Sequence, residues 1–247
     1  PVPPLPEADC TAEAPRLTIS VARLEQLSPA LLELGCPARV YIPLEEVSRL
    51  ESLPGEGPEW CAVLPRVWRD RDEPALRTLL ERARALGFTG VLIGNLGHLP
   101  LVRGLNFHLY GDYGLNVFNS RSLAYLKDKE LESACVSFEL RFAQIRDLKK
   151  VLRAEAIVYG GQPNVLVDRT GAAFPLLPAY GHRTEIQNSK PLYLADRPEH
   201  RRLGLAYARL RFTTETAEEC VSVVQNYLDA APAAGDFTRG LYERGVE

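Results

Sequence analysis

The sequence predicts an α/β fold: a closed, TIM-like (β/α) barrel with a small inserted β subdomain after the seventh strand. Three observations lead there. Short apolar, β-branched runs recur along the chain, and helical patterns separate several of them. About eight such units in 247 residues is the number and length that a closed barrel needs. The runs are LTISV (17–21), RVYIPL (39–44), CAVLPRV (61–67), GVLIGN (90–95), FHLYGDY (107–113), CVSFEL (135–140), EAIVYG (155–160) and YARLRF (207–212).

The clearest helix is DEPALRTLLERARALGF. Asp72 is placed to cap it, Pro74 is tolerated in its first turn, and Leu76, Leu79, Leu80, Ala83 and Leu86 form one apolar stripe before Gly87 stops it. A second, TETAEECVSVVQNYLDAA, sets Ala217, Cys220, Val221, Val224 and Leu228 at helical spacing after the last strand. Residues 161–194 break the alternation. VLVDRTGAAFPLL reads as two short strands about a turn at Thr170-Gly171, inside an insertion that would hang over the catalytic face of a barrel. Residues 1–15 are a Pro-rich leader, read as a linker from something upstream, and residues 16–247 form a single barrel domain.

A chain that is 46% hydrophobic and 25% charged builds one sizeable core. Its net charge of −3 gives no global field toward nucleic acid or anionic lipid. No apolar run approaches the roughly 20 residues that span a bilayer, and no secretory leader is visible, so a cytoplasmic home without membrane partners is expected. The five cysteines are scattered, with no CxxC, and signal neither a disulfide framework nor a zinc site. Cys61, Cys135 and Cys220 read as core residues, and Cys10 falls in the leader. Met is absent altogether, which reads as a fragment or a chain joined across missing stretches.

The segments GNLG, GDYGLNVFNS, VSFEL before AQI, VYG, VDRTGAAFPL, QNSKPLYL, RLRFTTE and FTRGLYERGVE resemble, in that order, the collagenase-like peptidase family of unassigned catalytic type, peptidase family U32. The match runs from about Arg16 to the end and is nearest the C-terminal barrel region of its large multi-domain members. The resemblance implies a hydrolase acting on peptides, without an agreed catalytic set, working with upstream domains of the same chain. Other members resemble iron–sulfur proteins that assist hydroxylation of RNA, and their cluster cysteines would fall in the segment from Pro163 to His182. That segment has no cysteine here, so an iron–sulfur cofactor in the intact protein has no visible ligand, and missing ones would fall near Pro163-Asn164. Three readings stay open: a peptidase, an iron–sulfur RNA-modifying relative, and a non-catalytic barrel that positions substrate.

The candidate site is GDYGLNVFNS, 111–120. Its glycines allow close backbone approach, and Asp112, Tyr113, Asn116 and Asn119 lie at or beyond the carboxyl end of a strand. Glu139, taken as ending the next strand, would share that mouth, making Asp112 and Glu139 the best pair for acid–base work. Asn95 and Arg66 follow neighbouring strands and complete the substrate-binding set. Each has a plainer reading: Asn119 or Ser120 as a helix cap, Asp112 and Asn95 as turn residues, Glu139 salt-bridged to Arg141 or Arg66, and Arg66 in an ordinary charged loop. No Ser-His-Asp, GxSxG, HExxH or phosphate-loop pattern is present. DRTG and QNSK read as turns, and Arg239 and Arg244 as part of a solvated terminus.

Overall fold

In a computed structural model of the protein, residues 4–7, 9–160, 165–167, 169, 173–180, 183–186 and 189–244 are described. Seven parallel strands run round in sequence order: β1 (Arg16–Ser20), β2 (Arg39–Pro43), β3 (Glu59–Val63), β4 (Gly90–Ile93), β5 (His108–Gly111), β6 (Leu131–Cys135) and β7 (Arg153–Gly160). The chain then leaves for an antiparallel sheet of β8 (Val165–Val167), β9 (Ala173–Ala179) and β10 (Arg183–Ile186). A short β11 (Leu192–Tyr193) runs antiparallel along the end of β7. Finally β12 (Tyr207–Arg211) enters between β7 and β1, pairing parallel with both, and closes the ring. The barrel and the inserted sheet are as expected. The turn expected at Thr170-Gly171, with Asp168, the junction Pro163-Asn164, and His182 and Asn188 lie outside the described residues.

The helices are α1 (Pro29–Gly35), α2 (Leu44–Val47), α3 (Glu73–Leu86), α4 (Leu99–Val102), α5 (Ser120–Asp128), α6 (Phe142–Asp147) and α7 (Ala217–Leu228). Their boundaries follow local chemistry. Ser28 caps α1 by accepting from Leu31 N, Thr216 and Glu219 form a reciprocal capping box on α7, and Gly87 ends α3 at φ 100°. Asp72 does not cap α3. Its carboxylate instead accepts Arg69 N at 2.9 Å, one turn earlier. Outward-facing strand residues such as Ile19, Val40, Ile42, Val91 and Leu210 pack with Leu31, Leu76, Leu80, Cys220 and Val224 of the helices into the main apolar core. Among the described residues no helix is long and apolar enough to cross a membrane.

Two expectations need correction. The run 135–140 is not a strand. β6 is LESAC, ending at Cys135, and Glu139 lies in the turn beyond it. Glu132 and Ser133 make that strand too polar to notice, because Ser133 faces a polar barrel interior. Nor is the region of Arg239 a loose tail. Arg239 grips Asp196 with two bonds of 2.5 and 2.7 Å, and the buried Tyr242 stacks on Phe142 and donates to Ile157 O at 2.6 Å.

Candidate active site at the carboxyl end of the barrel

Side-chain hydrogen bonds across the interior, between neighbouring and opposite strands, reveal what fills the barrel. At the amino end, Arg39 on β2 donates to Glu59 at 2.9 Å, to Ser133 on β6 at 2.9 Å and to Tyr207 on β12 at 3.0 Å. The rings of Tyr110 and Tyr207 lie 3.6 and 4.1 Å from its guanidinium carbon. One layer up, Arg209 on β12 bonds Asp112 at 2.6 Å and also Glu155 on β7. Thr18 and Tyr41 donate to the same Glu155 at 2.6 and 3.2 Å. The interior keeps only a small apolar cluster of Tyr41, Cys61, Leu92 and Tyr110.

A charge in such a place survives only if it is paired and hydrogen-bonded. Burial works against the Arg209 cation, but the facing carboxylates of Glu155 and Asp112 outweigh it and hold the guanidinium charged well above its ordinary range. Its Nε, fully buried, has no hydrogen-bond partner among the described residues.

Above this layer is the mouth. Tyr113 donates to Glu185 of β10 at 2.9 Å, and Arg66 reaches the same phenol oxygen at 3.4 Å. The Arg66 and Arg211 guanidiniums stand 5.1 and 5.6 Å from the Tyr113 ring. Burial first, and then the Glu185 and Asp112 charges against the opposing pull of Arg211, push the phenol up to about 12, so it stays a neutral donor. The glycines of GDYG are needed for contact. A Cβ on Gly114 would lie 2.5 Å from the Gly94 carbonyl oxygen, and one on Gly111 2.8 Å from Leu115 Cδ1.

The structure therefore brings Asp112, Tyr113 and Arg66 of the expected set to one place. Asn95 is beside them but committed: it caps the following turn, accepting Gly97 N at 2.7 Å and donating to Arg66 O at 3.1 Å. Asn116 is exposed in the left-handed region at φ 49°. Asn119 caps α5 by accepting the amides of Arg121 and Ser122, and it lines an outer groove of about 380 Å³ with Leu96, Leu115 and Tyr125. Glu139 sits past β6 at the same barrel end, half-buried, next to Phe138, whose ring is 5.8 Å from that of Tyr113. Its side chain makes no ion pair among the described residues, with Arg141 and Arg66 included. Sequence reasoning missed Arg209, Glu155, Arg211 and Glu185. The available signal was a charge inside an otherwise apolar strand of a parallel barrel, as in YARLRF and EAIVYG.

Four large apolar side chains are exposed in the loops at this end of the barrel: Val67, Leu96, Phe118 and Phe138, one after each of β3 to β6. Cys61 and Cys135 are buried in the interior wall, Cys220 is on the buried face of α7, and Cys36 is at the surface. Burial pushes the thiols of Cys61 and Cys135 up, so neither is a ready nucleophile. Among the described residues no group of three or more His, Cys, Asp or Glu stands close enough to hold a metal. These residues do not fit an iron–sulfur cluster.

The sequence matches no protein-family profile and no curated protein. Solved structures do match. The U32 peptidase Mk0906 superposes with a TM-score of 0.52 at 10% identity, covering 85% of this chain and 97% of that one. A mutant tryptophan synthase alpha-subunit from Pyrococcus furiosus gives 0.51 at 10% identity, covering 90% and 99%. This is a TIM barrel. The likeness to a U32 peptidase is one of fold, shared with enzymes of other chemistry, and in this fold active sites occupy the end where Asp112, Arg66 and Arg211 lie.

Proposed function

We propose that this TIM barrel binds peptide substrates across its carboxyl-end mouth, in the manner of a peptidase of the U32 kind, with Asp112 and Glu139 as its acid–base pair. One observation carries the reading: two carboxylates at neighbouring strand ends with opposite commitments. Asp112 is fixed by Arg209 through one oxygen. Glu139 is half-buried and free of ion pairs among the described residues. In hydrolysis Glu139 takes a proton from the attacking water and returns it to the leaving amine nitrogen as the C–N bond breaks, while Arg66 faces the developing oxyanion. The apolar rim supplies side-chain contacts. The fold neighbour Mk0906 is named a U32 peptidase, which supports this reading.

Steady-state hydrolysis of a mixed fluorogenic peptide library tests it. Glu139→Gln is expected to lower kcat about 100-fold with KM held, the range that a lost general base produces. A second reading, a barrel that binds and positions substrate without cutting it, is favoured by the burial of Cys61 and Cys135, which leaves no exposed cysteine at the mouth among the described residues. Peptide binding without hydrolysis by the wild type would select it.

A further inference from the structure

We propose that Glu215 is the barrel's own anion: its carboxylate fills an anion-binding nest just past the last barrel strand and so refuses substrates that carry a phosphate there. The proposal goes beyond the peptide reading, because it holds whether substrate is cut or only held, and it says which chemical class the barrel turns away.

In this fold a phosphate site is frequently built from the loops after the seventh and eighth strands. β12 closes the ring between β7 and β1 and so stands in the eighth place, with Thr213, Thr214 and Glu215 between it and α7. Glu215 Oε2 accepts from Thr213 N at 2.6 Å and from Thr214 N at 3.0 Å, and the Thr213 hydroxyl donates to it at 3.4 Å. Successive backbone N–H groups converging on one point make a concavity that binds anions. Here the chain supplies the anion itself. A helix cap is the plainer reading, but α7 does not need it. Thr216 Oγ1 accepts from Glu219 N at 3.2 Å and Glu219 accepts from Thr216 N at 2.8 Å, so the capping box is complete without Glu215. The amides that Glu215 takes lie before the helix.

Glu215 is only 8% exposed and makes no ion pair among the described residues. Amides and a hydroxyl, rather than a cation, hold its carboxylate. Tyr159 of β7 stands near enough that burial first, and then the Glu215 charge, push its phenol up. A phosphate arriving between the seventh and eighth strands therefore meets donors already in use and a like charge. The nest is also held from outside. Gln26, buried in the loop after β1, donates to Glu215 O at 3.0 Å, while its own side-chain oxygen accepts from Ala22 N and Arg23 N at 2.8 and 3.1 Å. Phe212 N donates to Ser20 O at 2.7 Å. These bonds use only the backbone of Phe212 and Glu215, so truncating the Glu215 side chain leaves the two amides in place and opens them to another anion.

Inorganic phosphate and formate are titrated by calorimetry into the wild-type chain and Glu215→Ala at pH 7, with ionic strength held by chloride, and both proteins are melted in each salt. Glu215→Ala is expected to bind phosphate at least about tenfold more tightly than the wild type, because two amides and a hydroxyl are released to it. At a phosphate concentration about ten times that Kd, its Tm should rise about 3 °C more than that of the wild type, which supplies the baseline for the general stabilising effect of phosphate. If Glu215→Ala is unfolded in chloride, recovery of its circular dichroism in phosphate takes the place of the melt and carries the same meaning. Phosphate that binds both proteins alike, or that neither binds nor restores Glu215→Ala, overturns the proposal. Formate binding to Glu215→Ala without phosphate binding overturns it too, since the nest then fits a carboxylate alone. No arm contains peptide, so these results stand apart from the hydrolysis assay and leave the peptide reading to be decided there.

Discussion

Arg39 at the floor of the barrel and Arg211 at its mouth are the same residue type on inward-facing strand positions, yet they are treated oppositely. Arg39 is closed in. Each of its three nitrogens has a partner, and aromatic rings lie on it. Arg211 is a fifth exposed and shares one nitrogen between two oxygens of a carboxylate that comes from an insertion. Geometry separates the two arginines where composition cannot. A guanidinium with every donor used and closed in by rings fixes strands to one another, whereas one that reaches solvent at the barrel mouth lies where a ligand could meet it. Arg209 between them is intermediate: buried and paired like the floor, but with an unpartnered Nε and with Asp112 of the mouth in its grasp.

The largest effect follows from breaking that middle layer. Arg209→Met removes the only cation bonded to Asp112 and Glu155 among the described residues, and it leaves Glu155, with 1% of its side chain exposed, without its counter-charge. Breaking a buried pair by removing one partner costs about 3–5 kcal/mol, and two carboxylates are stranded here, so the upper end is expected. Urea unfolding at pH 7 measures it, and a loss below about 1 kcal/mol would mean that the layer is not held by charge. Arg39→Met should cost less, about 3 kcal/mol by the same reasoning. Glu59 keeps its 2.6 Å bond from Tyr110 and reaches water with 23% of its side chain.

A third prediction separates the wall of the mouth from its floor through pH. His98 is fully buried between the loops after β3 and β4, accepting Gly94 N at 3.2 Å and facing Pro65 O at 3.2 Å. Burial pulls its pKa down to about 4 against an ordinary 6.5. The unfolded chain therefore takes up this proton first. The stability contributed by the neutral imidazole is complete above pH 6.5 and is lost as pH falls toward 4. By pH 5 the loss reaches about 2 kcal/mol. The difference in unfolding free energy between wild type and His98→Gln, measured at pH 7 and pH 5, should shrink by that amount. A constant difference would refute the buried neutral state.

How much of this could be read from the sequence depended on which way a side chain faces. Strands whose outward residues are apolar and whose inward residues are mixed, such as RVYIP and YARLR, still stood out as strands. LESAC did not, because both of its middle positions are polar, and the apolar run just beyond it drew the assignment four residues downstream. The same cause hid the interior network: Glu155 and Arg209 sat inside recognised strands, but hydrophobic patterning says nothing of who meets whom across a barrel. GDYG was legible as a place of close backbone approach because two glycines close together mark such contact, and both prove to be needed for it. Glu185 was not legible at all. It is 72 residues from Tyr113 and meets it only because the insertion folds back over the mouth.

The smallest effect on stability is expected where the effect on binding is largest. Arg66 is exposed, its ring contact with Tyr113 is at 5.1 Å, and its one bond to the phenol is long at 3.4 Å. Surface substitutions of this kind leave stability within about 0.5 kcal/mol, so Arg66→Ala should melt with the wild type. Yet its backbone carbonyl still holds Asn95, so the loop stays in place and only the guanidinium is lost. Affinity for an acidic peptide should then fall about tenfold while a neutral peptide is unaffected, because a charge-assisted contact has gone and no packing has. Equal losses for both peptides would show Arg66 acting through the shape of the loop, and the distinction drawn between floor and mouth arginines would fail at its most exposed member.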